Sequence, residues 1–144
     1  MTTGVTLDTG ALIALESGSR RMAVLVEEAL ASGSEVVIPA GVVAQAWRGG
    51  AAQARIARLL RASVTLVVAL DQRQALRIGA RCAATGVTDV IDISVALCAR
   101  VRGHAVVTSD PGDIRAADPS LTVLSPALQT RPTGRQPEDP PATS

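Results

Sequence analysis

Short runs of continuous apolar residues alternate with helical segments along this chain, and this alternation constrains the fold more than any other feature. Buried strands that are connected through helices form parallel sheets covered on both faces. We therefore predict an α/β fold, a three-layer α/β/α sandwich around a parallel sheet of about five strands. The predicted strands are Val5–Asp8, Glu35–Ile38, Val64–Val68, Ala105–Thr108 and Thr122–Leu124. The predicted helices are Ala11–Leu15, Arg20–Ala31, Val42–Trp47, Gln53–Leu60, Gln72–Thr85 and Val90–Arg102, with a short piece at Ile114–Ala117.

The C-terminal segment differs in composition from the rest of the chain. At 144 residues the chain has the length of a single domain. From about Gln129 onward, Pro, Thr, Arg and acidic residues follow one another without periodicity. Such a segment has too little apolar surface to fold. We predict a folded domain over residues 1–128 and a disordered tail over 129–144.

Charge and composition narrow the classes of function. The net charge of +1 excludes a strong, uniform basic field, so any contact with nucleic acid has to come from a local arginine patch. The chain contains arginine but no lysine and has no GxxxxGK[ST] motif. Receiver domains and aspartyl-phosphate phosphatases use a lysine beside the phosphate, and nucleotide-binding loops need that motif. We therefore exclude all three classes.

Cysteine, histidine and hydropathy patterns indicate an ordinary intracellular domain. Cys82 and Cys98 lie in apolar helical patterns and match no zinc spacing, so we expect buried thiols. His104, the only histidine, stands in a turn before a strand, and we expect it to be solvated. The sequence shows no signal peptide and no apolar run long enough to span a membrane. We expect a cytoplasmic protein without membrane contact.

Four aspartates stand where this fold would bring side chains together. Asp8 ends the first predicted strand and Asp110 ends the fourth, while Asp89 and Asp92 open the helix that leads into the fourth strand. In parallel sheets, ligands bind outside the carboxyl ends of the strands where the winding reverses. If the first and fourth strands are neighbours, Asp8 and Asp110 meet there. Gathered carboxylates repel one another, so the cluster needs a cation, and oxygen ligands of this kind suit Mg²⁺ or Mn²⁺.

Each aspartate also has a purely structural interpretation. Asp8-Thr9-Gly10 is typical of a turn that caps a helix, and Asp110-Pro111-Gly112-Asp113 is typical of another. Asp89 is equally well explained as an N-cap or as a site residue. Asp92 lies past the cap and between Ile91 and Ile93, where a carboxylate is costly unless it is paired or metal-bound, which favours a site role.

Four short motifs in order make the chain resemble a PIN domain of the VapC kind, the toxin half of VapBC toxin–antitoxin pairs. They are Val5-Thr6-Leu7-Asp8-Thr9-Gly10-Ala11-Leu12-Ile13-Ala14-Leu15, Ile38-Pro39-Ala40-Gly41-Val42-Val43-Ala44-Gln45, Asp92-Ile93-Ser94-Val95-Ala96-Leu97 and Val106-Val107-Thr108-Ser109-Asp110. The step of 18 residues from Asp92 to Asp110 also fits the family. The resemblance covers residues 4 to about 127.

This resemblance implies a Mg²⁺- or Mn²⁺-dependent endoribonuclease with an antitoxin partner and RNA as its substrate. We expect this chain to form a homodimer. Asp8, Asp92 and Asp110 would be catalytic and metal-binding acids. Family members usually have a further glutamate where this chain has Gln45, an amide that adds no charge. We take Asp89 as the candidate that replaces this charge, and Asp113 as a secondary one. The alternative is a weakly active or inactive PIN-like module that mainly binds an antitoxin or RNA.

Several further side chains are candidates for contacts with RNA or with the acids. Thr108 and Ser109 either orient a carboxylate or phosphate or only satisfy backbone groups at the strand end. Trp47 either stacks on a base or anchors the core or an interface. Arginines near the predicted crevice either contact the RNA backbone or belong to solvated helix faces. These arginines are Arg20, Arg21, Arg48 and Arg55.

Overall fold

A computed structural model describes residues 4–126 of the chain. The strands are β1 (Gly4–Leu7), β2 (Glu35–Pro39), β3 (Thr65–Val68), β4 (Ala105–Val107) and β5 (Val123–Leu124). The helices are α1 (Thr9–Glu16), α2 (Arg20–Ala31), α3 (Ala40–Ala46), α4 (Ala54–Arg61), α5 (Gln72–Thr85), α6 (Val90–Arg102) and α7 (Pro111–Ala117), with a 3₁₀ turn at Ala51–Gln53 before α4. The predicted boundary at residues 128 and 129 and the predicted tail lie outside the described residues.

The five strands form one parallel sheet in the order β3-β2-β1-β4-β5. The chain thus winds outward from β1 in one direction through β2 and β3, and then in the other direction through β4 and β5. The switch point therefore lies between β1 and β4, where Val5 is paired with Ala105 and Leu7 with Val107. The predicted parallel sandwich is confirmed, and the first and fourth strands are neighbours, which is the condition under which Asp8 and Asp110 meet.

The core consists of aliphatic side chains, because the chain contains no Phe or Tyr and its single Trp is partly exposed. Helices α1, α2 and α4 pack together, with α2 against β2 and α4 against β3. Helix α6 packs on β1, β2 and β4, with α5 and α7 on either side of it. Fully buried residues in the middle include Leu7, Leu12, Met22, Ile38 and Val106.

Helix α6 has a cap at each end, which explains why its predicted bounds were confirmed. The carboxylate of Asp89 accepts hydrogen bonds from the backbone N–H groups of Ile91 and Asp92 at 2.9 and 3.0 Å. At the other end, Gly103 adopts a φ of 66°, a left-handed conformation that glycine enters without a Cβ clash. The caps therefore place the first turn of α6 firmly beside the end of β1.

His104 is buried, with 4% of its surface exposed, and our expectation of a solvated histidine was wrong. Its Nδ1 lies 3.1 Å from the Thr6 hydroxyl oxygen in the next strand. A Cβ on Gly4 would lie 2.8 Å from the ring Nε2, so the glycine leaves space for the imidazole. Burial lowers the pKa of His104, and its environment therefore favours the neutral form.

Of the two cysteines, Cys98 is buried and Cys82 is partly exposed, and both are free thiols. Among residues 4–126, no single helix is long and apolar enough to cross a bilayer. The pair α5 and α6 passes that test only when the two are taken together, and they meet at 104°.

Candidate active site

Asp8 lies directly after β1 and is almost entirely buried, with 6% of its surface exposed. Its Oδ1 accepts a hydrogen bond of 2.8 Å from the backbone N–H of Ala11, and its Oδ2 accepts one from the Thr108 hydroxyl. Burial raises the pKa of Asp8 despite these two bonds, and the charges of Asp110 and Asp113 raise it further. Asp8 is therefore both the N-cap of α1 and part of an acidic cluster.

Thr108 connects the two central strand ends. The residue is fully buried, and its hydroxyl donates to Asp8 while accepting a 2.9 Å hydrogen bond from the backbone N–H of Asp110. Its own backbone N–H donates to the carbonyl of Leu124 in β5. The Thr108 hydroxyl therefore orients the carboxylate of Asp8 and also satisfies the backbone N–H of Asp110, so the two alternatives considered for it occur together.

The loop after β4 lies very close to the start of α1. A Cβ on Gly10 would lie 2.3 Å from the hydroxyl oxygen of Ser109 and 3.5 Å from Oδ1 of Asp8. A larger residue at position 10 would therefore require the Ser109 side chain to move. Ser109 itself is exposed at the rim of the cluster.

Asp92 enters the cluster from the first turn of α6 and is partly buried. Burial is the main cause that raises its pKa to about 6, and the charges of Asp89, Asp113, Asp8 and Asp110 add to it. A carboxylate with four like-charged neighbours favours its protonated form more than an isolated one does. The pKa of Asp92 thus indicates that all five aspartates share one negative field.

Asp110 and Asp113 lie at the start of α7, and both are exposed. The pKa of Asp113 is raised by desolvation and by the charges of Asp110 and Asp89. The sequence placed Asp113 among the secondary candidates, and the structure brings it into the same field as Asp8, Asp89 and Asp92.

Asp89 remains compatible with both of its predicted roles. Its Oδ1 is occupied by the two backbone N–H groups of the α6 cap. Its charge nevertheless raises the pKa of Asp92 and of Asp113. Asp89 is thus an N-cap that also contributes to the field of the cluster.

The helix α3 brings Gln45 to the rim of this cluster. The Oε1 atom of Gln45 accepts a 2.6 Å hydrogen bond from the hydroxyl of Thr9, the residue after Asp8. One turn earlier, Gly41 allows α3 to approach α6, since a Cβ there would lie 2.5 Å from Cδ1 of Ile91. Sequence reasoning missed Thr9 as a site residue. The signal was present, because a hydroxyl directly after the first acid opens a helix whose start faces the site.

The predicted arginines do not gather at the acids. The guanidinium of Arg48 donates to the carbonyls of Ala44 and Trp47 at the end of its own helix. That of Arg55 donates to the carbonyl of Glu16, at the far end of α1. Arg20 and Arg21 are exposed at the start of α2. Trp47 is 39% exposed at the C-cap of α3.

Sequence reasoning also missed Gln53, a buried amide that fixes the loop after α3. Its Oε1 accepts hydrogen bonds from the backbone N–H groups of Arg48 and Gly49 at 2.6 and 2.9 Å. Its Nε2 donates to the carbonyl of Ala46 and to Glu16. No sequence pattern distinguishes this glutamine from those on exposed helix faces.

The donor set of the cluster suits a hard divalent cation. The five carboxylates are candidate oxygen ligands, and the pKa values of Asp8, Asp92 and Asp113 are raised by burial and by neighbouring negative charge that such a cation would offset. Within residues 4–126, no three acidic, histidine or cysteine side chains already stand in a geometry that would hold one ion. Binding would therefore draw the carboxylates closer together.

Comparisons with known proteins agree with this architecture. The family model described as "PIN domain" matches residues 5–118. The solved structure of FitAB bound to an IR36 DNA fragment has a TM-score of 0.60 at 20% identity and covers 85% of this chain and 94% of its own. The structure of FitAcB from Neisseria gonorrhoeae has a TM-score of 0.56 at 20% sequence identity. It covers 85% of this chain and 98% of its own. The structure of PAE2754 from Pyrobaculum aerophilum has a TM-score of 0.56 at 20% sequence identity, and the match covers 85% of each chain. A search of curated protein sequences gives no match.

Proposed function

The chain belongs to the PIN domain family, and from this membership and its acidic site we propose that it is a Mg²⁺- or Mn²⁺-dependent endoribonuclease. PIN domains are generally nucleases. The observation that carries the proposal is the position of Asp8 and Asp110 at the adjacent ends of β1 and β4, joined through Thr108, with Asp92 close enough for their charges to raise its pKa. Purely structural capping gives no reason to gather five acids at one sheet edge.

Asp8, Asp92 and Asp110, with Asp89, are the residues that would hold the cation. A divalent cation held by these residues would supply Lewis-acid chemistry, namely polarisation of the phosphodiester and a lower pKa for the attacking water. The protein's own contribution is positioning. Thr108 holds the carboxylate of Asp8 and the backbone of Asp110 in one arrangement. One of the carboxylates accepts the proton of the attacking water.

We extend the proposal to the toxin half of a type II toxin–antitoxin pair acting in the cytoplasm, with an antitoxin protein as partner. A cavity between α2 and α4, away from the acids, supports a protein partner. It has a volume of about 550 Å³ and is lined by Val26, Leu30 and Leu59 with Arg55 and Arg58 at its border. Apolar grooves with a polar border are typical of sites where proteins dock.

We also propose that the chain is a homodimer. The edge strand β3 leaves Leu66 and Val67 exposed to 46% and 42%, and Leu70 and Leu76 nearby are exposed to 54% and 68%. Natural proteins usually cover or charge an edge of this kind. Sedimentation of the purified chain, compared with a Leu66→Glu variant, tests the proposal, which a monomeric wild-type protein would contradict.

The test of the enzymatic function is cleavage of labelled RNA with Mn²⁺ and with EDTA. We expect cleavage that needs the cation and that Asp92→Asn abolishes. Equal cleavage by the wild type and this variant would indicate a contaminating nuclease and contradict the proposal.

A second function, an antitoxin- or RNA-binding module that cleaves poorly, is favoured by one specific observation. The side chain at the rim of the cluster is the amide of Gln45, which adds no charge for a cation. Calorimetric titration with Mn²⁺ separates the two functions. Tight binding accompanied by cleavage supports the enzyme, and absent binding with retained RNA affinity supports the module.

A further inference from the structure

Gln45 and Thr9 form a pair across two helices at the rim of the acidic cluster. Thr9 is the first residue of α1, Gln45 lies in the last turn of α3, and the two helices pack against each other. The Thr9 hydroxyl donates to Oε1 of Gln45 at 2.6 Å, and Gln45 is exposed to solvent. Within residues 4–126, the amide nitrogen of Gln45 has no protein partner.

This hydrogen bond occupies Oε1 of the Gln45 amide. Because Oε1 is directed at the Thr9 hydroxyl, Nε2 points away from it and presents two N–H donors. A glutamate in the same place would accept the same bond from Thr9 but present a second oxygen. N–H donors do not ligate a cation, whereas they bind anionic oxygens well.

The surroundings of the pair make such a donor useful to an anionic substrate. Thr9 directly follows Asp8, and Gly41, one turn before Gln45, contacts Ile91 beside Asp92. A phosphate that approaches this site meets five carboxylates, whose charge a single divalent cation only partly offsets. The chain has no lysine, and the nearby guanidinium of Arg48 is bonded to carbonyls of its own helix end.

We propose that Gln45 binds a phosphate oxygen of the RNA through its amide nitrogen, and that Thr9 is the residue that positions this amide. The inference rests on the proposed ribonuclease function and deepens it. It assigns Gln45 to substrate recognition and removes it from the ligands of the cation.

The test compares RNA affinity with cation affinity in the full chain. Fluorescence anisotropy of a labelled single-stranded RNA in EDTA measures the first, and calorimetric titration with Mn²⁺ measures the second. We expect Gln45→Ala to weaken RNA binding about tenfold, the effect of one hydrogen bond to a charged group, and to leave the Mn²⁺ dissociation constant within about twofold. In cleavage assays the same variant raises KM and leaves kcat nearly unchanged.

Two substitutions at Thr9 test the positioning role. Thr9→Val removes the hydroxyl and lowers RNA affinity. Thr9→Ser keeps the hydroxyl, and its RNA affinity equals that of the wild type. The double variant Thr9→Val with Gln45→Ala binds RNA no more weakly than Gln45→Ala alone, because both changes remove the same contact. Gln72→Ala, an exposed glutamine at the start of α5, is the matched control and leaves both affinities unchanged.

Gln45→Glu moves the two readouts in opposite directions, with weaker RNA binding and tighter Mn²⁺ binding. Unchanged RNA affinity in Gln45→Ala, or a loss of Mn²⁺ affinity in that variant, overturns the inference and leaves the proposed function standing. A wild-type protein that binds no RNA, either in EDTA or with Mn²⁺, overturns the proposed function itself. Circular dichroism of each variant confirms that the comparison is made on folded protein.

Discussion

The hydroxyl of Thr108 donates a hydrogen bond to the carboxylate of Asp8, although 100 residues of chain separate them. The same hydroxyl accepts from the backbone of Asp110, so one buried oxygen fixes two members of the acidic cluster. Because Asp8 is almost entirely buried, removal of the hydroxyl leaves its carboxylate without a replacement from solvent.

We expect Thr108→Val, which keeps the shape of the side chain, to destabilise the fold by about 1–3 kcal/mol. The variant also loses metal-dependent cleavage, since Asp8 is no longer held in place. Urea unfolding and RNA cleavage measure the two effects. Thr108→Ser, which retains the hydroxyl, is the control, and equal losses in both variants would contradict the role assigned to the hydrogen bond.

Asp92→Asn is expected to abolish cleavage while stabilising the metal-free protein at pH 7. A carboxyl whose folded pKa is about 6 and whose ordinary value is 3.8 disfavours folding at neutral pH, and this cost disappears as the pH falls below 6 toward 4. With partial exposure taken into account, we expect a stabilisation of about 1–2 kcal/mol at pH 7 that vanishes near pH 4.

Unfolding curves of the wild type and Asp92→Asn between pH 4 and pH 8 measure this difference. Asp8→Asn should behave similarly in cleavage, because its carboxylate belongs to the same cluster. Asp71→Asn at the N-cap of α5 is the matched control, since asparagine caps equally well and Asp71 does not contribute to the pKa of Asp92. A destabilised, unfolded Asp92→Asn protein would instead favour the purely structural interpretation.

His104 should give the opposite dependence on pH. Its folded pKa lies below the ordinary value of 6.5, so its contribution to stability is complete above pH 6.5 and is lost as the pH falls toward the folded pKa. In an Asp92→Asn background, which removes the opposing slope of Asp92 but not those of Asp8 and Asp113, the contribution of His104 to the free energy of unfolding should fall between pH 7 and pH 5. The same measurement with His104→Gln added should show a flatter profile, and an unchanged slope would contradict the assignment.

Gln45→Glu should lower the Mn²⁺ dissociation constant several-fold, because one more negative charge near the cation is worth on the order of 1 kcal/mol after screening. The same charge adds repulsion in the metal-free protein and should lower its melting temperature. Gln72→Glu makes the identical change of charge on a distant helix and should alter neither quantity. Weaker Mn²⁺ binding in a folded Gln45→Glu protein would contradict this prediction.

Much of the fold could be predicted because the signals are local. Helices α2, α5 and α6 begin and end where predicted, and the side chains of Ser19 and Asp71 cap α2 and α5. The strand order required one additional rule, that the site lies where the winding reverses, and the pairing of β1 with β4 agrees with it.

What could not be predicted depends on contacts between distant segments. The pairing of Thr9 with Gln45 needs the packing of α1 on α3, and the burial of His104 needs the space left by Gly4 in the neighbouring strand. Asp89 illustrates the remaining difficulty. Its side chain caps α6, and its charge also raises the pKa of Asp92. The two interpretations of Asp89, N-cap and site residue, are therefore compatible.

The central position of β4 beside β1 has a consequence for synthesis of the chain on the ribosome. A nascent polypeptide that already carries Asp8 and Thr9 lacks their partner strand until residues 105–110 have emerged. At roughly 5–20 residues per second, several seconds pass between synthesis of the segment with Asp8 and synthesis of residues 105–110. Incomplete chains, such as those left by stalled ribosomes, therefore have no assembled acidic site.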